Sequence, residues 1–240
     1  MANQELVFFD LPSKPPRKAW SYNPWRIRLA LNFKGVPYRT EFIEYPDLKS
    51  KFQDHLPKAD LYTIPTIILP DGTWVTDSWK IAAVLEEKYP EPSLHLDSPY
   101  LPKLRQFLME AMEPLDGIYK PGVAFNVLGE ASVGYFRSTR EKACGMTLEQ
   151  LAAEKGGAAA WKAAEPGLHK ITALLKENSE GPFFEGKTPG LVDFVWAGFL
   201  IFMLRIGEGT FADALKATGD SDLHIKLLDA VKPWSERDDH

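Results

Sequence analysis

The chain has little of several features that mark specialised classes of protein. Its single cysteine, Cys144, excludes an internal disulfide framework and a CxxC redox pair. No apolar stretch reaches about 18 residues, so no transmembrane helix is predicted. The net charge is -5 and no basic block exceeds a few residues, which disfavours nucleic-acid binding. The five histidines show no metal-ligand spacing, and we therefore expect no metal.

What remains is the composition of an ordinary globular chain. Hydrophobic residues make up 45% and charged residues 25% of the 240 residues, which suits one or two domains. The N-terminal sequence MANQELVFFD is too short and too acidic for a signal peptide, so the expected compartment is the cytoplasm.

Residues 61–79, LYTIPTIILPDGTWVTDSW, carry the most informative pattern in the chain. An apolar run at Ile64–Leu69 is followed by a Pro-Asp-Gly turn signal and a second short run at Thr73–Thr76. This pattern predicts a β-hairpin. A helix pattern begins at Asp77-Ser78, where unpaired N–H groups and the helix dipole favour a bound anion or carboxylate.

Pro65 opens the first strand of this hairpin, a position that tolerates the missing N–H of proline. A cis bond between Ile64 and Pro65 is accessible at about 0.5–1 kcal/mol. Such a bond would turn the backbone of Ile64 outward and leave its N–H and C=O free to pair with a bound peptide. A peptide-pairing backbone and a carboxylate site therefore lie one hairpin apart.

Ile64-Pro65, the hairpin and Asp77-Ser78 together resemble the glutathione-binding half of a cytosolic glutathione transferase. In that family a cis proline presents the preceding residue to the cysteinyl backbone of glutathione. An acidic or amide residue followed by Ser binds the γ-glutamyl end. The resemblance implies that Ile64, Pro65, Asp77 and Ser78 contact glutathione; the alternative is a hairpin with an ordinary helix cap.

The elements on either side of the hairpin complete a known order. We predict a buried strand at residues 5–10, a helix at 21–35, a strand at Val36–Glu44 and an irregular segment with one helical turn at 45–60. After the hairpin, a helix runs to Tyr89. This order, a β-α-β unit followed by a hairpin and a closing helix, indicates a thioredoxin-like domain over residues 1–90.

Residues 90–99, PEPSLHLDSP, predict an interdomain linker. Everything after it is helical in pattern, so we expect an all-α domain over residues 97–240. A long amphipathic stretch covers Pro102–Leu128, where Pro114 and Pro121 are expected to kink or split the helix. The predicted fold class is α+β, an N-terminal thioredoxin-like domain followed by an all-α C-terminal domain, which is the architecture that the resemblance implies.

Residues 183–206 predict a helix that is buried on all sides, because the segment is almost wholly apolar. In glutathione transferases a buried helix of the C-terminal domain begins with a capping box, usually Ser/Thr-x-x-Asp. Here Gly190 takes the Ser/Thr place and Asp193 the Asp place. Glycine can serve as an N-cap but supplies no side-chain acceptor, and we expect the role of Asp193 to be structural.

Glutathione chemistry needs a thiolate, whereas a free thiol has a pKa of about 8.5. A donated hydrogen bond and a helix N-terminus both favour the charged form. Asn23 and Pro24 predict a helix start, as N-cap and first helical residue. Ser21 resembles the activating serine of serine-type transferases. The usual Ser-Pro of that family has become Ser21-Tyr22-Asn23-Pro24 in this chain. The amide of Asn23 is therefore an alternative hydrogen-bond donor to the thiolate, and Tyr22 is a third. The remaining alternative is that Ser21 or Asn23 acts only as a helix cap.

The motif WRIRLAL beginning at Trp25, with Trp20 and the Pro-rich loop before it, narrows the resemblance. It looks like the bacterial lignin β-etherases and the fungal etherase-like (FuA) class. Such proteins are similar to enzymes that attack aryl ethers, aryl halides or isothiocyanates with glutathione. Some members bind aromatic compounds, including wood phenolics, without turnover.

Other contacts are less narrowly defined by the sequence. The aromatic pocket has three candidates, Trp20, Tyr119 and Phe125, although aromatic residues at helical spacing more often belong to a core. The glycine carboxylate of glutathione has four candidate partners in a polar loop: Lys51, Gln53, His55 and Lys58.

Three hypotheses for function follow. The first is a glutathione transferase that attacks aromatic electrophiles or aryl ethers, in the detoxification of wood or lignin-derived phenolics. The second is a ligandin-type binder of aromatic compounds with a retained glutathione site, and the third is an interaction protein that has kept the fold and lost the site. Family resemblance also implies a homodimer, and we expect no nucleic-acid or membrane partner.

Overall fold

The structure is a computed structural model and describes residues 5–57 and 61–239. The described residues form one four-stranded sheet with three helices, followed by helices alone. The strands are β1 (Leu6–Asp10), β2 (Tyr38–Phe42), β3 (Thr66–Ile68) and β4 (Trp74–Thr76), and the helices are α1 (Tyr22–Phe33), α2 (Leu48–Phe52), α3 (Ser78–Lys88), α4 (Tyr100–Met112), α5 (Asp116–Gly122), α6 (Glu130–Cys144), α7 (Leu148–Lys155), α8 (Gly157–Lys176), α9 (Leu191–Ile206), α10 (Glu208–Ala217) and α11 (Ser221–Ser235).

The sheet has the strand order β2-β1-β3-β4. Strand β1 pairs parallel with β2 and antiparallel with β3, and β3 pairs antiparallel with β4. All five residues of β1 are buried, as expected of a central strand. This arrangement confirms the predicted α+β class with a thioredoxin-like first half. The strand predicted over Val36–Glu44 is shorter, because Val36 N–H still bonds back to Leu31 at the end of α1.

Helix α1 begins two residues earlier than predicted. Asn23 is not the N-cap: Ser21 occupies that position, with its carbonyl accepting from Trp25 N–H at 3.1 Å. Pro24 lies in the first turn, where an N–H has no intrahelical partner in any case, so it marks the helix start without being its first residue. The C-terminal signal is confirmed, since Gly35 follows the C-cap with φ +63.

The hairpin and the following helix lie where the sequence predicts them. In the β3–β4 pair Thr66 faces Thr76, and the Ile64–Pro65 bond is cis. Helix α3 begins at Ser78 with Asp77 as its N-cap. The hairpin therefore brings the Ile64 backbone and the N-terminus of α3 to the same end of the sheet.

The helical half interrupts the long amphipathic stretch at both predicted places. Pro114 lies in a 3₁₀ turn at Glu113–Leu115 that separates α4 from α5. Pro121 lies inside α5, which passes directly into a π-helical turn at Val123–Val127. The division of the chain into domains at residues 90 and 97 stays a prediction.

Helix α9 is buried along almost its whole length, as predicted, with only Leu204 and Arg205 outside the buried set. Asp193 holds its N-terminus: Oδ2 accepts from Gly190 N–H at 2.8 Å and Oδ1 from Phe184 N–H at 2.9 Å. Glycine has no side chain, so only the Asp193 half of a capping box is made. The predicted structural role of Asp193 agrees with these contacts.

Helix α9 packs against α1, which carries the predicted thiol-activating residues. A Cβ added at Gly198 would lie 3.4 Å from both Arg26 N and Tyr22 O, so the two helix backbones run close together at this point. None of the helices in the described ranges is long and apolar enough to span a bilayer.

Candidate active site

A cleft of about 520 Å³ opens between the start of α1, the segment before β3, and helices α4, α5, α6 and α9. It is the right size for a small-molecule site. Trp20, Ser21, Asn23, Ile64 and Tyr119, which the sequence predicts separately, all line it. The other described lining residues are Leu11, Tyr22, Tyr45, Leu48, Leu61, Tyr62, Thr63, Met112, Lys120, Val123, Tyr135, Phe136, Arg140 and Phe202.

Two polar side chains at the start of α1 face this cleft. Ser21 is half-buried, and its hydroxyl makes no capping bond to the helix. Asn23 is exposed and lies within the first turn. The first N–H groups of a helix carry partial positive charge, so both side chains lie where a negative charge is stabilised.

The amide of Asn23 has a defined orientation. Arg26 Nη2 donates a hydrogen bond to Asn23 Oδ1 at 2.6 Å. Arginine has donors only, so the atom it contacts must be the amide oxygen. The Nδ2 group, a donor, is then the polar end of Asn23 that remains for a ligand in the cleft.

Arg26 is itself held in place by its surroundings. It is 3% exposed, and its guanidinium lies over the rings of Tyr22 at 4.4 Å and Trp79 at 4.6 Å. Burial lowers the pKa of Arg26 below its ordinary value, whereas the negative charge of Asp77 acts to raise it. Arg26 therefore links the start of α1 electrostatically to the start of α3.

Ile64 provides the backbone edge of the cleft. Its side chain is half-buried, and Pro65 behind it is buried. Thr66 stabilises this segment because its hydroxyl donates to the carbonyl of Thr63 at 2.8 Å. Pro65 is not among the residues that line the cleft.

Asp77 and Ser78 lie outside the cleft, at the N-terminus of α3. Asp77 has φ 76, and its Oδ1 accepts from Trp79 N–H at 2.9 Å and Lys80 N–H at 3.1 Å. The helix cap considered in the sequence is thus present. It uses one carboxylate oxygen, so Oδ2 is not used by the cap.

Three aromatic side chains, Trp20, Tyr119 and Phe202, form another part of the cleft lining. Phe202 of α9 lies between Trp20 and Tyr119, with ring centroids 6.2 Å and 6.0 Å away. Trp20 donates from Nε1 to the carbonyl of Pro12 at 3.2 Å, and the Tyr119 hydroxyl donates to Asp116 at 2.5 Å. Burial and the Asp116 carboxylate raise the pKa of Tyr119, so its phenol stays neutral.

Models of one protein family match both halves of the chain. The glutathione S-transferase N-terminal domain matches residues 20–88, and the glutathione S-transferase C-terminal domain matches residues 106–234. The second match alone covers more than half of the chain. The chain belongs to the glutathione S-transferase family. Glutathione is the cosubstrate of this family.

Individual relatives of the transferase agree with this assignment. The chain is 32% identical over 223 residues to the glutathione S-transferase-like protein ustS of Aspergillus flavus, covering 83% of this chain and 80% of that one. Glutathione transferases GSTFuA3 and GSTFuA2 from Phanerochaete chrysosporium superpose with TM-scores of 0.84, at 28% and 30% identity. Those superpositions cover 98% of this chain and 98% and 100% of the relatives. The predicted resemblance to the FuA class is confirmed.

A further structure links this similarity to glutathione. The glutathione S-transferase CsGST63524 of Ceriporiopsis subvermispora was solved in complex with glutathione. It superposes on the transferase with a TM-score of 0.81 at 29% identity, over 97% of this chain and 98% of that one.

The polar-loop candidates do not line the cleft. Lys51 Nζ pairs with Glu41 at 2.5 Å, and its ammonium lies 5.5 Å from the Phe9 ring. His55 stacks on Trp74 with ring centroids 4.3 Å apart. Gln53 is also absent from the described lining, and Lys58 lies outside the described residues.

Phe125 also lies outside the cleft, contrary to the prediction that it lines the aromatic pocket. It belongs to the π-helical turn Val123–Val127, is 44% exposed, and has the guanidinium of Arg137 5.5 Å from its ring. In a π turn the chain gains a residue relative to α-helical spacing. The face expected from an uninterrupted helix is therefore shifted, and Phe125 points away from the pocket.

The sequence did not predict the part of the wall that α6 contributes. Tyr45 stacks on Tyr135 with centroids 6.1 Å apart and lies against Phe136 at 5.6 Å. Burial raises the pKa of Tyr45 to about 12. Arg140, one turn further along α6, also lines the cleft. Tyr135, Phe136 and Arg140 together are called the α6 wall below. The spacing of Phe136 and Arg140 by four residues was the only available signal.

Within the described ranges, no three His, Cys, Asp or Glu side chains are grouped so that they would hold a metal ion. The groups available for chemistry are hydrogen-bond donors, cations and aromatic rings.

Proposed function

We propose that this protein activates the thiol of glutathione and directs it at aromatic electrophiles, including aryl ethers. The observation that carries the proposal is the cleft itself, which places Ser21, Asn23 and the Ile64 backbone around one volume. Two donors at a helix start suit a thiolate, and the backbone edge suits the peptide to which the thiol belongs.

Asn23 is the principal donor in this proposal and Ser21 the second. The Arg26 bond leaves the Asn23 Nδ2 donor for the sulfur, whereas the Ser21 hydroxyl is free to rotate. A hydrogen bond to a charged group contributes about 1.5–3 kcal/mol. That corresponds to a pKa of the bound thiol lower by roughly one to two units for one well-placed donor.

The tripeptide is held at two further places. Ile64 pairs through its backbone with the cysteinyl residue of glutathione, while Pro65 supports it. At the N-terminus of α3, the Ser78 hydroxyl and the helix dipole receive the γ-glutamyl carboxylate. The unused Oδ2 of Asp77 accepts from the γ-glutamyl ammonium group.

The reaction follows from a thiolate in an aromatic cleft. The sulfur forms a bond to the electrophilic carbon of the aromatic compound, and the halide or phenolate leaving group departs with the bonding electron pair. The thiol proton is released to solvent when the thiolate forms. Trp20, Tyr119 and Phe202 hold the aromatic substrate beside the sulfur.

A second candidate is a non-catalytic binder of aromatic compounds that keeps the glutathione site. The extent of the aromatic wall favours it, since rings from the start of α1 through α9 line the cleft. Turnover separates the two candidates, because only a transferase consumes glutathione. A homodimer in the cytoplasm stays part of the proposal in either case.

The test is a titration of glutathione bound to the protein, followed by ultraviolet thiolate absorbance, for wild type, Asn23→Ala and Ser21→Ala. We expect Asn23→Ala to raise the pKa of the bound thiol by roughly one unit or more, and Ser21→Ala to raise it less. Ser50→Ala, which removes an exposed hydroxyl outside the cleft, serves as the control. Absence of glutathione binding by the wild type would refute both candidates.

A further inference from the structure

The charged groups that line the cleft are all cationic within the described residues. Lys120 and Arg140 are the two charged side chains among them, and no described carboxylate lines the cleft. The whole chain has a net charge of -5, so this positive lining runs against the overall charge. A low-dielectric cleft lined by one sign of charge concentrates ligands of the opposite sign.

The charge of Lys120 is already compensated. Its Nζ pairs with Asp116 at 2.5 Å, and Asp116 also accepts from the Tyr119 hydroxyl. A ligand anion would have to compete with a carboxylate of the protein for this ammonium group. Lys120 is therefore not the cation that would select a ligand.

Arg140 has no such partner. Its Nη1 donates to Thr139 at 2.9 Å, and no carboxylate in the described part of the chain forms an ion pair with it. Its guanidinium lies 4.5 Å from the Phe136 ring and 5.6 Å from the Tyr45 ring. Arg137, one turn earlier in α6, differs sharply, because it pairs with Glu141 and Glu149.

We propose that Arg140 selects aromatic substrates that carry a carboxylate, which makes it a specificity-determining residue of the transferase cleft. We call the aromatic compound that receives the glutathione sulfur the acceptor. A planar guanidinium binds a carboxylate through two parallel hydrogen bonds. Tyr45 and Phe136 hold the guanidinium in the cleft that the aromatic side chains also line. The ring and the carboxylate of one ligand would therefore be bound together. This inference rests on the proposed function for its view of the cleft as the acceptor site.

Glutathione supplies carboxylates of its own, and these are the competing source of the same chemistry. The proposal assigns Arg140 to the acceptor and leaves the tripeptide to the Ile64 edge and the N-terminus of α3. Saturating glutathione should therefore leave the preference for anionic acceptors in place. A preference that disappears when glutathione is bound would overturn the assignment.

The experiment compares two unreactive rings of the same shape, 2-naphthoate and 2-naphthamide. Their affinities are measured by quenching of tryptophan fluorescence, with and without saturating glutathione, and Trp20 in the cleft wall is the expected reporter. We expect wild type to bind 2-naphthoate at least about tenfold more tightly than 2-naphthamide. In Arg140→Gln the ratio should fall to about one, while the affinity for 2-naphthamide stays within about twofold.

Arg137→Gln is the matched control, because it removes a guanidinium from the same helix outside the cleft. It should keep the wild-type ratio. Equal affinities of the wild type for the two rings, or a ratio that survives Arg140→Gln, would overturn the proposal. The binding experiment requires no reaction, so it tests Arg140 independently of turnover. The proposed transferase activity is tested separately with a neutral aryl halide, 4-chloro-3-nitrobenzamide. If the protein does not catalyse its reaction with glutathione, that activity is contradicted but the role of Arg140 is not.

Discussion

Lowering the pH should destabilise this protein through one buried histidine, His224 of α11. Its ring is fully buried, with Nδ1 2.9 Å from Trp196 Nε1 and Nε2 2.8 Å from Thr172 Oγ1. Tryptophan is a donor only, so Nδ1 must accept. The Thr172 hydroxyl donates its hydrogen to the carbonyl of Thr218 at 2.8 Å, so it must accept from Nε2–H.

These partners are satisfied by one neutral tautomer of His224. A second proton would have to sit on Nδ1, directly opposite the Trp196 N–H. Burial, as the largest cause, lowers the pKa of His224 to about 4 from 6.5. The unfolded chain therefore binds one more proton than the folded protein between these two values, and stability falls as the pH falls through that window.

The size of the effect follows from this difference in pKa. Between pH 7 and pH 4.5, linkage predicts a loss of about 2 kcal/mol in the free energy of unfolding from His224 alone. Asp193 opposes it, because burial raises the pKa of that carboxyl to about 7 and its contribution to stability is lost as the pH rises. A comparison of variants at each pH removes this and all other shared contributions.

The assay is denaturant unfolding of wild type and His224→Gln at pH 7 and at pH 4.5. Glutamine has one acceptor and one donor group for Trp196 and Thr172 but no proton to take up in this range. The difference in free energy of unfolding between the two proteins should change by about 2 kcal/mol in favour of the variant on acidification. An unchanged difference would show that His224 is either charged in the folded state or already exposed, and would refute the reasoning.

Two further predictions concern the two ends of the proposed glutathione site. Arg26→Met should release the amide of Asn23 and lower kcat at neutral pH by roughly tenfold through a higher pKa of the bound thiol, while the calorimetric Kd for glutathione changes little; a thiol titration identical to wild type would contradict this. Asp77→Asn should keep the N-cap and the wild-type Tm but weaken glutathione binding, whereas Asp77→Ala should also cost about 1 kcal/mol of stability. Thermal unfolding with and without glutathione measures both effects. If Asp77→Asn binds glutathione as tightly as wild type, the charge of Asp77 does not contribute to binding.

The frame of the site could be predicted from the sequence because its signals are local. The Ile64-Pro65 pair, the turn and the Asp77-Ser78 helix start all lie within 19 consecutive residues, 61–79, and turn and cap chemistry act over such distances. The orientation of Asn23 was also within reach, since Arg26 follows it by three residues on a helix. The misplaced helix start hid this relation, because the side-chain oxygen of an N-cap residue is expected to accept from a backbone N–H of the first turn, not from a side chain.

The α6 wall could not be predicted, because it depends on contacts between distant parts of the chain. The Ser132 hydroxyl accepts from Tyr45 N–H at 3.0 Å and also bonds to Glu44, across more than 80 residues of sequence. This contact brings Tyr45 to α6, where the guanidinium of Arg140 lies 5.6 Å from the Tyr45 ring. Phe125 was misplaced for a related reason, since helical periodicity carries no signal for a π turn.

The two walls of the cleft are held by different kinds of contact, and this bears on how the protein would diversify. Helix α1, with Asn23, packs on buried α9 at Gly198, so the core positions the thiol donors that we propose. The α6 wall instead joins the segment of Tyr45 through ring contacts and the Ser132 hydroxyl. Under the proposed function, substitutions on α6 would therefore change which aromatic compounds bind and retain the geometry around Asn23. Arg140 lies on the α6 side of the cleft, where such a change would alter the proposed preference for carboxylates.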